Sequence, residues 1–230
     1  FFTWGAAAYP ADRYAMVFWD HGDGWSMAAT GAEGPGFKGF SNDDQSGHEI
    51  SVAEGELAGL LSQVTASIGQ PIDLVGFDAC LMQMWEVAHV TAPHADLLVG
   101  SEDSEGLDGW EYTEILDDLT AQPTMSPAEL GDSIAFHFVD QGNSYEYPTQ
   151  SAVDLTQLDP LTAAMEQLAA VVLAKPAAVI QDVAAIASQT TSYSWMPYRD
   201  LYEFAERLGA SGDADIEAAA DAVRQAIDAA

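Results

Sequence analysis

The sequence predicts an α/β fold, a mostly parallel sheet flanked by helices, followed by a mainly helical C-terminal part. Three observations carry that expectation. Short apolar runs at Tyr14–Trp19, Ile72–Phe77 and Leu97–Gly100 lack polar alternation, as strands buried on both faces do. Helical patterns separate these runs, which is the rhythm of parallel strands joined by crossovers. Beyond residue 155 the pattern turns Ala- and Leu-rich with helical periodicity, and no further strand signal occurs.

Each element follows from its residues. The run Tyr14-Ala15-Met16-Val17-Phe18-Trp19 is a buried strand that stops at Asp20-His21-Gly22-Asp23-Gly24. From Thr30 to about Gly47 the chain is Gly-rich, with Pro35 and several Asp, and is expected to hold no regular structure. Ser51 with Glu54 three residues on forms a capping box, opening a helix to about Ile68 that Gly69-Gln70-Pro71 ends. The second strand, Ile72 to Phe77, stops at Asp78-Ala79-Cys80, and Leu81 to Val90 carries a helical pattern. Leu97 to Gly100 is a third strand, followed by the acidic loop Ser101 to Gly109. A helix over Pro127–Asp140 and a strand over Gln150–Leu155 complete an α/β core spanning residues 1–155. Helices over Leu158–Ala174, Pro176–Ser188, Pro197–Leu208 and Asp215–Ala229 make residues 156–230 a helical region whose default role is packing.

Charge narrows the function classes. Thirty-seven acidic residues against six basic ones give a net charge of −31 over 230 residues. Such a surface repels phosphate backbones and anionic lipid, so nucleic-acid and membrane-surface binding are excluded as leading readings. It suits solubility in salt, and with the scarcity of lysine it suggests a haloarchaeal source. No apolar run reaches the roughly 18 to 20 residues of a spanning helix, so membrane insertion is not expected. The lone cysteine, Cys80, rules out an intramolecular disulfide and a Cys-x-x-Cys metal site.

In open parallel sheets, functional groups collect beyond the carboxyl ends of the strands. His21, Cys80 and the Ser101-Glu102-Asp103 loop each lie directly after a strand, and neighbouring strands would bring them to one edge. A lone cysteine is most often a small buried apolar residue, and a loop histidine is most often satisfied by its neighbours. Cys80 between a strand and a helix, however, would lie near a helix N-terminus, where partial positive charge lowers a thiol pKa. A thiolate to attack a carbonyl and an imidazole to protonate the leaving amine are what a thiol-dependent hydrolase needs. The N–H groups of Gly22 and Cys80 could hold the oxyanion. His48, His89, His94 and His137 form no recognisable metal pattern with His21, so no metal site is read from the sequence.

Phe77-Asp78-Ala79-Cys80-Leu81-Met82, together with Phe18-Trp19-Asp20-His21-Gly22-Asp23-Gly24-Trp25, closely resembles the clostripain-like cysteine peptidases, peptidase family C11 of the caspase–gingipain–legumain group. Tyr9–Tyr14, Leu98–Glu102, Gly109–Tyr112, Ser151–Leu155 and Tyr198–Ala205 resemble further family segments, so the likeness covers roughly residues 9 to 208. The resemblance implies a caspase-like fold, a Cys80–His21 dyad, and cleavage of protein or peptide substrates after Arg or Lys. It implies that Asp78 receives the basic side chain, a role that competes with Asp as a helix cap. Glu102 and Asp103 are candidates for a second acidic wall. Lys38, in a flexible Gly-rich loop, is a candidate self-cleavage site, or an accident of composition. Calcium is a cofactor the resemblance suggests without requiring; Asp103, Glu105 and Asp108 could offer oxygens, though not at the spacing of a Ca²⁺-binding EF-hand loop. A monomer is expected, and the resemblance favours an extracellular or cell-surface setting. The family's catalytic domain begins with a strand before the segment matched by Phe1, so the chain is expected to be a fragment lacking it. The alternatives are a peptidase of the same group with another preference at the cleaved residue, and a non-catalytic binding module of caspase-like fold.

Overall fold

The computed structural model describes residues 1–25, 39–43, 45–140, 148–193 and 198–230; Lys38 lies outside them. It divides into two compact units, Phe1–Leu155 and Thr156–Ala230. The first unit is built on a four-stranded sheet ordered β1-β4-β5-β6, from strands β1 (Ala15–Trp19), β4 (Leu74–Asp78), β5 (Leu97–Gly100) and β6 (Ser151–Asp154). β1 and β5 each run parallel to β4, while β6 runs antiparallel to β5, so the sheet is mixed and mostly parallel. A hairpin of β2 (Phe40–Asp43) and β3 (His48–Ile50) stands apart. It corrects the reading of residues 40–43 as irregular; pairing with β3 supplies backbone hydrogen bonds that composition could not announce.

β4 and β5 are buried along their whole length, as their apolar runs require. One face of the sheet packs Leu74, Leu97 and Val99 against Trp110 and against Ile115, Ile134 and Phe138 of helices α4 (Tyr112–Ala121) and α5 (Pro127–Asp140). Near β1, Phe18 stacks on Phe77 at 5.2 Å and Phe40 meets both rings edge-on at 5.0 Å. β1 departs from expectation: Val17 and Trp19 are exposed, at 37% and 68%. Val17 and Trp19 share with Ala15 one face of β1 that is left uncovered, while Phe18 on the other face is buried, so an apolar run alone does not report burial on both faces.

Two further helices precede and follow β1 and the hairpin, α1 (Phe2–Ala8) and α2 (Glu56–Ile68). Ser51 Oγ accepts the Glu54 N–H at 3.1 Å and the Glu56 carboxylate accepts the Ser51 N–H, but these bonds close a turn ahead of the helix: α2 begins at Glu56 behind the left-handed Gly55 (φ 81°), not at Ser51 as the capping pattern predicts. Gly69, left-handed at φ 77°, closes α2 with its N–H on Thr65 C=O. The second unit holds α6 (Leu158–Leu173), α7 (Ala177–Gln189), α8 (Leu201–Leu208) and α9 (Ala214–Ala229). α9 packs against both α6 and α8. α8 begins at Leu201 rather than near residue 197 because Asp200 caps it, accepting the Glu203 N–H at 2.8 Å. Lys175 donates to Asp213 and Asp215, both at 2.7 Å, and Arg207 and Arg224 are also ion-paired. Among the described residues no helix is long and apolar enough to cross a membrane.

So few cations cannot balance the acidic surface, and the folded chain concentrates its own repulsion. Raising KCl from about 0.1 M to about 1 M shortens the screening length from about 10 Å to about 3 Å. Tm by calorimetry is therefore expected to rise steeply over that range; a flat Tm would show that charge repulsion does not limit stability.

Candidate active site

The parallel pairing of β1 with β4 decides where the chemistry collects. Its last rung joins Trp19 to Asp78, so His21 and Cys80 each stand two positions beyond the same rung. The two segments continue side by side past it, with Asp20 N–H reaching Asp78 C=O at 3.4 Å. Gly22 then packs on the cysteine turn so closely that a Cβ there would lie 2.4 Å from the Cys80 carbonyl oxygen. Ser41 N–H to His21 C=O (3.1 Å) and Asp23 N–H to Gly39 C=O (3.0 Å) brace the histidine segment against the hairpin. These bonds flank Gly22, which pairs with Phe40 as an antiparallel bridge. His21 is exposed, and its N–H is held by Asp20 Oδ1 at 2.7 Å.

Cys80 lies in a tight turn whose next residue, Leu81, is left-handed at φ 64°. Asp20, beside the histidine, is also at positive φ, 149°. Non-glycine residues held this way mark backbone that the surrounding structure over-determines, a common property of functional loops. The helix expected from Leu81 begins only at Trp85, as α3 (Trp85–Thr91). Cys80 is therefore not at a helix N-terminus, and the expected depression of its pKa does not arise from a helix dipole. Burial pushes the thiol up instead; the Glu105 N–H, 3.2 Å from Sγ, opposes that shift, and the Glu105 and Asp23 carboxylates add to it.

The loop after β5 closes the site from the other side. Leu81 N–H donates to Asp103 C=O at 3.1 Å and Gln83 N–H to Ser101 C=O at 2.9 Å, which fastens the acidic loop to the cysteine turn. Asp78 is 4% exposed and spends its Oδ2 on the Trp110 N–H (3.1 Å) and the Tyr112 hydroxyl (2.8 Å). Glu105 is 7% exposed, and neither of its carboxyl oxygens closes a hydrogen bond of normal geometry; nor does the buried Trp110 Nε1. Burial first, then the Asp78 carboxylate, push Glu105 up to about 9, with Trp110 acting the other way. Tyr112 is raised by burial and then by Asp78. A thiol, an imidazole and a buried acidic pair thus lie beyond the same end of the sheet.

Comparison with known proteins bears on this arrangement. The sequence profile described as the clostripain family matches residues 1–229. The chain belongs to the clostripain family. Clostripain of Hathewaya histolytica is 32% identical over 123 residues, which are 49% of this chain and 22% of that protein. A secreted C11 cysteine protease of Bacteroides thetaiotaomicron, solved with an irreversible peptide inhibitor, is 29% identical with a TM-score of 0.54. The match covers 71% of this chain and 45% of that one. An inactive zymogen C11 protease of Parabacteroides distasonis shares the fold at 22% identity and a TM-score of 0.59, over 96% of this chain and 55% of that one. The chain therefore spans about half or less of the length of these relatives.

Within this clostripain-family chain the remaining candidates separate. Asp103 supplies its C=O to Leu81 and receives the Ser104 N–H on its carboxylate at 2.7 Å, while Glu102 is half-buried. The acid that interacts with Asp78 is Glu105, which the reading of a second acidic wall passed over. No local signal marks it, because a loop has no period that separates inward from outward acids. Asp103, Glu105 and Asp108 are not drawn together as one ligand cluster. Among the described residues no three His, Cys, Asp or Glu side chains converge as metal ligands, and Glu105 is turned to Asp78. The raised thiol carries its own expectation. Alkylation of Cys80 by iodoacetamide, followed by mass spectrometry, should reach half its maximal rate above the usual thiol range of about 8.5. A half-maximum below pH 7 would instead reveal a resting thiolate–imidazolium pair.

Proposed function

We propose that this chain carries the catalytic site of a cysteine endopeptidase that hydrolyses peptide bonds after Arg or Lys. Cys80 is the nucleophile and His21 the general acid and base. His21 takes the thiol proton as sulfur attacks the scissile carbonyl carbon, and returns it to the amine as the C–N bond breaks. Water, deprotonated by His21, then hydrolyses the thioester and frees Cys80. The N–H groups of Gly22 and Cys80 are the oxyanion donors, and Asp78 lies at the base of the pocket for the cationic side chain. The observation that carries this reading is the Trp19–Asp78 rung, beyond which both reacting residues follow at equal distance along the chain. Family membership and the protease named in the 29%-identical neighbour support it. That neighbour is described as secreted, which supports an extracellular setting; we further propose that the protein acts as a monomer.

The test is a panel of fluorogenic peptides differing only in the residue before the cut, run in molar KCl with and without calcium. Cleavage confined to Arg and Lys is expected. Cleavage after Asp or Asn would keep the dyad and remove the role given to Asp78, and no cleavage by the folded protein would favour a binding module.

A further inference from the structure

The turn that presents Cys80 is held by more than its own backbone. Residues 79–84 lie outside any helix or strand, and Leu81 sits there at φ 64°. Left-handed backbone is unfavourable for a residue with a side chain, so such a turn keeps its shape only when its surroundings hold it. The N–H groups of Leu81 and Gln83 are tied to the loop after β5. The Gln83 side chain adds a tie to a different strand. It is 9% exposed, and its Nε2 donates to both the C=O and the Oγ of Ser151 at the head of β6, each at 3.1 Å. Its Oε1 lies against Gly100, 3.2 Å from where a Cβ would stand, and finds no donor among the described residues. Methionine would fill this space without stranding a buried carbonyl, so packing alone does not call for glutamine here. Two residues before Ser151, Thr149 Oγ1 pairs with Ser101 Oγ at 2.8 Å and accepts the Asp103 N–H at 3.1 Å. Residues 149–151 thus grip the cysteine turn through Gln83 and the loop after β5 through Ser101 and Asp103.

We infer that Gln83 is a positioning residue for Cys80: its carboxamide clamps the cysteine turn to the head of β6, so that the sulfur and the Cys80 N–H meet the scissile carbonyl together. This rests on the proposed reading of Cys80 as the nucleophile. Gln83 touches no substrate in this scheme and acts through the turn. The turn is fixed at both ends, by the β1–β4 ladder before Cys80 and by Ser151 after it. A reacting group must be held to within about 0.5 Å, and a buried side-chain hydrogen bond to a neighbouring strand supplies that rigidity. Freed from Ser151, the turn keeps only its backbone bonds to the loop after β5, and the 3.2 Å contact between Sγ and the Glu105 N–H widens. Two consequences follow. Attack slows, because a displacement of about 1 Å is worth about 100-fold in rate. The thiol, meanwhile, becomes more acidic. Burial raises it most, the Glu105 N–H opposes, and the Glu105 and Asp23 carboxylates add to the rise. A loosened turn sheds burial first, so the thiol falls toward its ordinary range of about 8.5. A slower enzyme with a more reactive thiol is a signature that general destabilisation does not produce.

The test is Gln83→Met in the full-length protein in molar KCl, with Thr149→Val as a second variant and Val64→Ala, in α2, as the control for lost stability. Kinetics are read on the best substrate of the fluorogenic panel. The pH of half-maximal alkylation of Cys80 by iodoacetamide is read by mass spectrometry. In Gln83→Met, kcat is expected to fall by about 10- to 100-fold with KM changed by less than about threefold. The alkylation midpoint should move down toward about 8.5. Thr149→Val should shift both readings in the same directions and by less. Val64→Ala should lower Tm and leave the midpoint at its wild-type value. Unchanged kcat and midpoint in folded Gln83→Met would overturn the inference. So would a loss carried by KM alone, or one that Val64→Ala reproduces at matching Tm. Should Gln83→Met fail to fold, Thr149→Val decides by the same two readings. If the wild type cleaves no peptide, the peptidase reading falls, and the midpoint still decides whether Gln83 sets the surroundings of the thiol. If peptides are cleaved through Cys80 with no effect of Gln83→Met, the inference falls alone.

Discussion

On the proposed reading, Cys80→Ala is expected to leave peptide cleavage at background, with kcat/KM lower by about four orders of magnitude or more. The size of the effect follows from the chemistry. The chain contains no other thiol, and without sulfur there is no thioester to divide amide hydrolysis into two easier steps. The fold should survive the change. Cys80 is half-buried, and its Sγ accepts the Glu105 N–H at 3.2 Å and approaches the Glu105 C=O at 3.9 Å. Losing such contacts costs about 1 kcal/mol. A Tm within a few degrees of wild type would then separate loss of chemistry from loss of structure. Retained cleavage in this variant would remove Cys80 from the mechanism.

The second large effect is steric. In Gly22→Ala the new methyl would stand 2.4 Å from the Cys80 carbonyl oxygen and 3.1 Å from Ala79 Cβ and Met82 Cγ. The nearest of these is backbone, so no rotamer change relieves it, and the histidine segment cannot retreat without breaking its hydrogen bonds to Gly39 and Ser41. Overpacking of this kind costs about 1 to 3 kcal/mol. A displacement of about 1 Å between His21 and Cys80 is worth about 100-fold in rate. The expected result is kcat/KM down by about two orders of magnitude in a protein whose Tm falls by roughly 5 °C. Gly59→Ala is the control, since a Cβ there, within α2, meets nothing within 4 Å; it should leave activity unchanged and stabilise by up to about 1 kcal/mol. Wild-type activity in Gly22→Ala would mean that the close approach of the two loops is dispensable.

Much of the fold was legible because its signals are local. The apolar runs that became β4 and β5 and the Gly69 signal that ends α2 depend only on neighbours within one turn or strand. The same patterns announced α5 and β6 but not α1, α4 or the β2–β3 hairpin. Where the reading slipped, a distant partner had decided the outcome. Residues 40–43 became a strand because β3 was there to pair with them, and Val17 and Trp19 stayed exposed because nothing covers their face of β1. The helix after Cys80 started late because Leu81 N–H and Gln83 N–H were taken by the carbonyls of the loop after β5.

The same division holds for the site. By itself the sequence determined that a histidine and the lone cysteine each follow a strand, next to a Gly and an Asp, because strand ends and loop residues are written in consecutive positions. The tertiary structure alone decided three things. The pairing register set His21 and Cys80 beyond one rung, the packing of Gly22 brought their loops into contact, and the fold of the 101–109 loop buried Glu105 rather than Glu102 beside Asp78. Register, close approach and burial are relations between segments tens of residues apart, and they are settled only when the chain closes on itself and the same polar groups must find partners away from water.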